Sequence, residues 1–158
     1  MKPITPCLWF EGQGEDAAKF YVSVLPNSKI TKVTHYGEGM PMPKGTVMTV
    51  AFELNGQPFL ALNGGPEFKH SPAMSLIVYC KDQGEIDAYW EKLSAGGEKG
   101  VCGWLTDKYG ISWQVTPIGL AEEWVTDHEP ARSNRVMAAL MKMKKLDIAA
   151  LKRAYEQG

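Results

Sequence analysis

Few residues of this sequence could do acid–base, nucleophilic or metal chemistry, and those few are widely spaced. The histidines, His35, His70 and His128, lie in or beside predicted loops and form no metal-binding spacing motif. We interpret them as surface residues, although His35 borders a glycine- and proline-rich loop and could act there as an acid or base. Cys7 lies in an apolar stretch and could be a nucleophile. Without a histidine partner beside it, the alternative is a buried, unreactive thiol.

A glycine pattern near the amino end offers a second kind of chemistry. Residues 12–17 have the form Gly-x-Gly-x-x-Ala, which formally matches the dinucleotide-binding pattern, with Glu38 at a tolerable distance beyond. However, Glu15 and Asp16 stand where phosphate would bind, and hairpin-type strands follow instead of a second strand–helix pair. The alternative is a turn that leads into a helix. The lack of a nucleotide-binding sheet and of a cofactor loop also argues against an S-adenosylmethionine site.

Composition excludes several classes of protein. The chain has 158 residues, which suits one domain, and its net charge of −1 provides no general field for nucleic acid or an acidic membrane. No apolar run approaches the ~18 residues of a membrane span. The first ten residues lack the continuous apolar region of a signal peptide. Three cysteines without a C-x-x-C motif predict reduced thiols, and therefore a cytoplasmic protein.

Periodicity predicts the elements that position these residues. The first elements are a strand, a helix and three strands, over 4–11, 15–25, 29–36, 46–54 and 57–63. Ala18, Tyr21 and Leu25 fall on one face of the helix. Asn55-Gly56 separates the last two strands and is the strongest short hairpin signal in the sequence.

The same pattern begins again 68 residues later. The second set is a strand, a helix and two strands, over 73–80, 84–93, 99–105 and 111–117. The shift lays residues 8–10 onto 76–78 and Tyr21 onto Tyr89. We therefore predict an α+β fold of two tandem βαβββ units, 1–63 and 73–118. Their strands would form an open, mixed, barrel-like sheet around a cleft.

Residues 119–158 predict a C-terminal helical extension. Pro130 fits the first position of a long helix, and Asp147 can cap a last one. One apolar stripe of this extension consists of Val136, Leu140 and Met143. It is interpreted as a core or dimer face. The lysines of this segment are interpreted as a solvated face, because acidic residues interrupt them and no aromatic platform accompanies them.

The chain resembles a known superfamily at several places. Residues 5–12 (TPCLWFEG) and the Phe20-Tyr21 pair resemble the opening unit of the vicinal oxygen chelate superfamily. That superfamily holds glyoxalase I, extradiol dioxygenases and the bleomycin and fosfomycin resistance proteins. Residues 106–114, with their Asp-x-x-Gly turn, resemble its closing turn. Residues 131–137 and 147–151 resemble the PhnB-like branch, often labelled 3-demethylubiquinone-9 3-methyltransferase.

The resemblance implies a divalent metal held by His, Gln or Glu from four strands, with open positions for vicinal substrate oxygens. The implied ligand positions are Thr5 (or Pro6 after a slip of one residue), Ala73, Gln114 and one position within 59–63. Thr, Ala and a neutral Gln do not replace imidazole and carboxylate, and 59–63 offers no Glu or His. We therefore expect no metal and no other cofactor, which argues against glyoxalase or dioxygenase activity.

What remains is a pocket. With Thr5 and Ala73 directed inward, strand alternation sends a set of further side chains into the cleft. The predicted pocket-lining residues are Thr5, Cys7, Trp9, Ser75, Ile77, Tyr79, Ser112, Gln114 and Thr116. A mostly apolar lining with a few hydroxyls and one amide is typical of small-molecule sites. The alternative is a filled core without a ligand.

The expected function is binding of a small hydrophobic or aromatic molecule by a metal-free homodimer, with neither nucleic acid nor membrane as a partner. The sequence identifies no catalytic residue. One alternative is an enzyme of the superfamily: a lyase or isomerase with another metal arrangement, or the quinone methyltransferase. The other alternative is a dimeric interaction module that uses the tail helices.

Overall fold

The computed structural model describes residues 4–157, which fall into two compact units divided between His70 and Ser71. The elements of the first unit are β1 (Cys7–Phe10), α1 (Gly14–Val24), β2 (Lys29–His35), β3 (Val47–Leu54) and β4 (Gln57–Asn63). Those of the second unit are β5 (Ser75–Cys80), α2 (Gln83–Ser94), β6 (Glu98–Lys99), β7 (Trp104–Thr106), β8 (Ser112–Pro117), a short π-helix (Leu120–Val125), α3 (Pro130–Leu140) and α4 (Ile148–Glu156).

Each unit holds one four-stranded mixed sheet, and the two sheets have the same topology. The strand orders are β1-β4-β3-β2 and β5-β8-β7-β6. The first pair of each sheet is parallel, and the remaining pairs are antiparallel. The predicted duplication and the α+β class are therefore confirmed, as two separate open sheets.

Helix α1 covers one face of the first sheet. Ala17, Ala18 and Tyr21 are buried there, and the Tyr21 ring lies 6.4 Å from that of Phe52. Phe52 in turn stacks on Phe59 at 5.5 Å. Because successive side chains of a strand point to opposite faces, burial of Leu8 and Phe10 on the helix side leaves Cys7 and Trp9 on the other side.

The hairpin between β3 and β4 confirms its sequence signal. Asn55 and Gly56 both have positive φ, +47° and +81°. Two successive left-handed residues define the tight turn whose twist matches the flanking strands, and Asn-Gly is the pair that adopts it at least cost. Strand β4 begins and ends where the sequence predicts.

Two local predictions in the second unit were wrong. The strand expected over 99–105 is interrupted at 100–103 by a turn that separates the short strands β6 and β7, since Gly100 N donates to Trp104 O and Trp104 N donates to Val101 O. Cys102 and Gly103 take positive φ within this turn, which extended strand does not allow. On α2, Trp90 rather than Tyr89 is buried with Ile86 and Leu93.

The C-terminal extension packs within the second unit. Pro130 begins α3 and the Asp147 side chain accepts from Ala150 N at 2.9 Å, as predicted. Val136 and Leu140 are buried, whereas Met143 lies beyond the end of α3 and is half-buried. The boundary predicted at residue 118 stays a prediction. Within residues 4–157, every helix is too short or too polar to span a lipid bilayer.

Candidate functional site: the open faces of the two sheets

Six of the predicted pocket residues share one face of the second sheet. The parallel register of β5 and β8 sets side by side the pairs Ser75 and Ser112, Ile77 and Gln114, and Tyr79 and Thr116. The alternate residues Trp113 and Val115 are buried on the face that α2 covers. Ile77 and Tyr79 remain 45% and 52% exposed. The open face therefore presents two large apolar side chains to solvent.

A polar pair lies among these apolar side chains. Gln114 Nε2 donates to Ser75 Oγ at 2.9 Å. In this arrangement the side-chain nitrogen faces β5 and the carboxamide oxygen is turned away from Ser75. Within residues 4–157, neither side chain makes another hydrogen bond, so Gln114 Oε1 remains an acceptor and the Ser75 hydroxyl a donor. A ligand that carries one polar group could be oriented by this pair.

Sequence analysis missed two residues of this face. Trp104 pairs with Gln114, and Thr106 pairs with Ser112, across β7 and β8. Both line a groove of about 510 Å³ that also reaches Val101 and Met141. The alternation along β8 identifies which of its residues lie on this face. Trp104 can be assigned to the same face only if the sequence is known to turn at 100–103, where we predicted a strand.

The open face of the first sheet is built around Trp9. The register places Cys7 beside Leu60 and Trp9 beside Leu62, two apolar neighbours that the sequence analysis did not include. Trp9 Nε1 donates to Gly65 O at 2.8 Å, and Phe68 packs edge-on at 5.0 Å. Trp9 is half-buried against this loop and lies on the sheet face opposite Tyr21. Its N–H is therefore already engaged.

Glycine at position 64 makes the approach of this loop to Trp9 possible. A Cβ on Gly64 would lie 2.3 Å from the Trp9 ring, well inside van der Waals contact. His70 closes the same loop, with Nε2 2.6 Å from Trp9 O. His35 and His128 are exposed as predicted, whereas His70 is half-buried and serves as a structural partner of β1.

Two cysteines are poorly suited to nucleophilic attack. Cys7 is exposed, which rules out the alternative of a buried thiol, yet local desolvation raises the pKa of its thiol. Burial, with smaller effects from Glu85 and Asp82, raises the pKa of Cys80 to about 12. A raised pKa reduces the thiolate fraction, and the thiolate is the nucleophile. Thr5 is exposed just before β1.

The residues at the implied metal positions do not fit a divalent transition metal. Thr5 and Ala73 supply no imidazole or carboxylate, and the Gln114 amide is bonded to Ser75. In segment 59–63, Asn63 accepts from Gly14 N at 2.8 Å and donates to Val47 O at 3.1 Å. Among residues 4–157, no group of three or more His, Cys, Asp or Glu could hold a metal ion. Such sites usually need three or four protein ligands.

The start of α1 does not fit a nucleotide or S-adenosylmethionine either. Asn63 Oδ1 occupies the position in front of the helix, where it accepts from the buried Gly14 N–H. A Cβ on Gly14 would lie 2.8 Å from that oxygen. The glycine is therefore required by close packing of the helix on β4, which supports a turn into a helix rather than a phosphate cradle.

Comparison with known proteins adds the family. A family model described as 3-demethylubiquinone-9 3-methyltransferase matches residues 2–116. The PhnB protein from Bacillus cereus, which bears the same methyltransferase name, is 39% identical, with 73% of this chain and 99% of that chain covered and a TM-score of 0.68. Protein PA1353 from Pseudomonas aeruginosa is 20% identical, with 74% and 98% covered and a TM-score of 0.62.

A more distant likeness shows the fold alone. The fosfomycin resistance protein FosX from Listeria monocytogenes is 14% identical, with 77% of this chain and 97% of that chain covered and a TM-score of 0.52. No curated protein matches the chain. The family model and the Bacillus cereus structure both span most of the chain, and the duplicated sheets agree with them. The chain belongs to the PhnB-like family described as 3-demethylubiquinone-9 3-methyltransferase.

Proposed function

We propose that this chain binds a small hydrophobic or aromatic molecule on the open face of its second sheet, without a divalent metal. The observation that carries the proposal is the exposure of Ile77 and Tyr79 around the bonded pair Ser75 and Gln114. Large apolar side chains that lie together at the surface, rimmed by polar groups, usually mark a binding surface. The alternative of a filled core does not account for side chains that remain half exposed.

The chemistry of the face sets the class of ligand. Ile77, Tyr79 and Trp104 offer flat or branched apolar surface. The Gln114 oxygen and the Ser75 hydroxyl offer one acceptor and one donor. The adjoining groove, about 510 Å³, falls within the roughly 300–1,000 Å³ of small-molecule sites. Binding that sequesters such a compound needs no catalytic group.

A pair of matched variants tests this site. NMR titration with 2-naphthol should shift the backbone signals of β5 and β8, and Ile77→Lys should weaken binding at least tenfold, because a charge replaces the apolar contact. Ile118→Lys is the control, since Ile118 is 61% exposed but lies beyond β8. Equal weakening by both variants, or shifts spread over the whole molecule, would reject the site.

The metal-free part of the proposal has its own measurement. Elemental analysis of purified protein should show no stoichiometric Zn, Ni, Fe or Mn, because the donor types at Thr5 and Ala73 are wrong. One metal per chain, lost in Gln114→Ala, would overturn it.

A homodimer in the cytoplasm completes the proposal. Its support is the three free thiols and the exposed apolar side chain of Met137.

The family name favours a second candidate function, methyl transfer to a quinone. That reaction needs S-adenosylmethionine, and the start of α1 is closed by Asn63. Isothermal titration calorimetry with S-adenosylmethionine decides between the two functions. We expect no measurable heat of binding, whereas a micromolar Kd would favour the methyltransferase.

A further inference from the structure

A pair of sulfur atoms lies between the turn that precedes β7 and the end of α3. Cys102 Sγ is 3.7 Å from Met141 Sδ, with the thiol as donor and the thioether as acceptor. Cys102 belongs to the turn between β6 and β7, and Met141 follows the last residue of α3. The two residues are 39 positions apart in sequence, so the fold itself brings them together.

The backbone holds Cys102 in place. Its φ of +56° is a left-handed value, which among the described non-glycine residues only Asn27 and Asn55 share. Asparagine tolerates this conformation, whereas cysteine gains nothing local from it. Cys102 N donates to Met143 O and Gly103 N to Lys144 O, both at 2.8 Å. These two bonds tie the cysteine turn to the segment that carries Met141.

The pair is also accessible. Met141 is 62% exposed, Cys102 is half-buried, and both line the groove of about 510 Å³. A methionine that serves only to fill a core would be covered. Here the methionine is mostly exposed, and the thiol of Cys102 donates to its sulfur.

We propose that Cys102 and Met141 bind one soft monovalent cation of the Cu(I) class. Thiolate and thioether are the ligands that such cations select, and hard divalent ions disfavour them. With metal–sulfur bonds of about 2.3 Å, sulfurs 3.7 Å apart meet one cation at an angle of about 107°, so a third ligand from solution completes a trigonal site. The cation takes the place of the thiol proton, which passes to solvent, so charge is conserved and no electron is transferred.

This site lies in the groove that adjoins the proposed organic site, but the two sites use different residues. Its protein ligands are the two sulfurs, whereas the organic ligand needs Ile77 and Gln114. Loss of naphthol binding would therefore leave the inference untouched, and loss of cation binding would leave the proposed function untouched.

The test is anaerobic competition for Cu(I) with the chromophoric chelator bicinchoninate. The parent protein is Cys7→Ser, which removes the other exposed thiol, while Cys80 stays fully buried. We expect one Cu(I) per chain, loss of it in Cys102→Ser, and at least tenfold weaker binding in Met141→Leu. Met137→Leu is the matched control, since Met137 is also exposed, at 39%, but makes no contact with Cys102 among the described residues.

Several results would overturn the proposal. Met141→Leu that stays within twofold of the parent would show that the thioether is not a ligand. Equal weakening in Met141→Leu and Met137→Leu would show an effect unrelated to the pair. Failure of the parent to take Cu(I) from the chelator would end the proposal outright. Because Met141 is largely exposed, Met141→Leu and Met141→Gln should both fold, and a thermal melt of each variant verifies this.

Discussion

The two units of this chain share one topology but rely on different interactions. In the first unit, three strands of seven or eight residues form long antiparallel ladders, and an aromatic cluster of Tyr21, Phe52 and Phe59 fills the helix side. In the second unit, β6 and β7 have only two and three residues. The second sheet therefore has far fewer ladder bonds along its outer edge.

The buried polar residues differ in the same way. Asn63 in the first unit satisfies one buried N–H, that of Gly14, and donates to Val47 O. Asp107 in the second unit accepts from three groups, Tyr109 N, Ile111 N and Trp113 Nε1. Three hydrogen bonds to one carboxylate hold the turn before β8 in place, a role that longer strands would otherwise fill.

Glycines and the C-terminal extension complete the second unit. A Cβ on Gly97 would lie 2.1 Å from Thr106 O, and one on Gly103 would lie 2.7 Å from Val115 O. The extension hydrogen-bonds the same turn through Met143 and Lys144. The two units therefore keep the same topology with different stabilising interactions. In the second unit, close backbone contacts at glycines and the added C-terminal helices compensate for the short strands.

Removal of the extension should therefore have the largest effect. A chain cut after Thr116 loses the buried side chains Val136, Leu146 and Leu151, along with the partners of Cys102 N and Gly103 N. We expect exposed apolar surface and aggregation, seen as increased mass by light scattering and a lower melting temperature.

The double variant Val136→Asp, Leu151→Asp in the full chain should act in the same direction, because it buries unpaired charge at the same interface. A truncated chain that keeps its mass and its melting temperature would show that the second unit is as self-sufficient as the first.

Much of the fold could be predicted because local signals and packing agree. The Asn-Gly hairpin, Pro130 at a helix start and the cap at Asp147 each depend on backbone geometry that one or two residues fix. The turn at 100–103 could not be predicted. Its left-handed Cys102 is stabilised by Met143, a partner 41 positions away that short-range patterns do not include.

The candidate site was only partly predictable for a related reason. In β5 and β8, every second side chain points to the same face of the sheet. This alternation predicts that the residues from Ser75 to Tyr79 share a face with those from Ser112 to Thr116. The environment of Trp9 does not follow from this alternation, because its indole N–H donates to Gly65 O in a loop. That loop approaches the Trp9 ring only because Gly64 has no side chain. The pocket-lining role of these residues stays a prediction.

Replacement of the two polar anchors sharpens the comparison next. Asp107→Ala leaves three N–H groups without their acceptor, and we expect a loss of about 3–5 kcal/mol in the free energy of unfolding. Asn63→Ala leaves one buried N–H, so about 1–3 kcal/mol is expected. Urea unfolding at pH 7 measures both. If Asn63→Ala lost more free energy of unfolding than Asp107→Ala, the second unit would not depend more on its buried polar residue than the first unit does.

Trp9→Ala tests whether the first unit has a core on one face only. Phe52→Ala should cost about 3–5 kcal/mol, as buried aromatic truncations do. Trp9→Ala should cost less, about 2 kcal/mol, because Trp9 is half-buried against a loop. If Trp9 also contacts ligand, the variant weakens binding of 2-naphthol. Equal stability losses for the two variants would place Trp9 in the core and end its pocket role.

The smallest effect is expected from loss of the hydrogen bond between Tyr155 and Asp127 in the C-terminal extension. The Tyr155 hydroxyl donates to Asp127, and together with Glu129 N–H it lowers the pKa of the Asp127 carboxyl below its ordinary value of 3.8. A lowered pKa means that the folded chain favours the ionised form, so this stabilisation is present above pH 3.8 and is lost as pH falls through the folded-state pKa. Tyr155→Phe should therefore lower the melting temperature slightly at pH 7 and by a smaller amount at pH 3. Hydrogen exchange should show that the change is confined to α3 and α4, since Arg135 still donates to Ala154 O and Tyr155 O. An effect of equal size at both pH values would mean that the tyrosine ring, packed beneath Arg132, fastens the extension without the carboxylate.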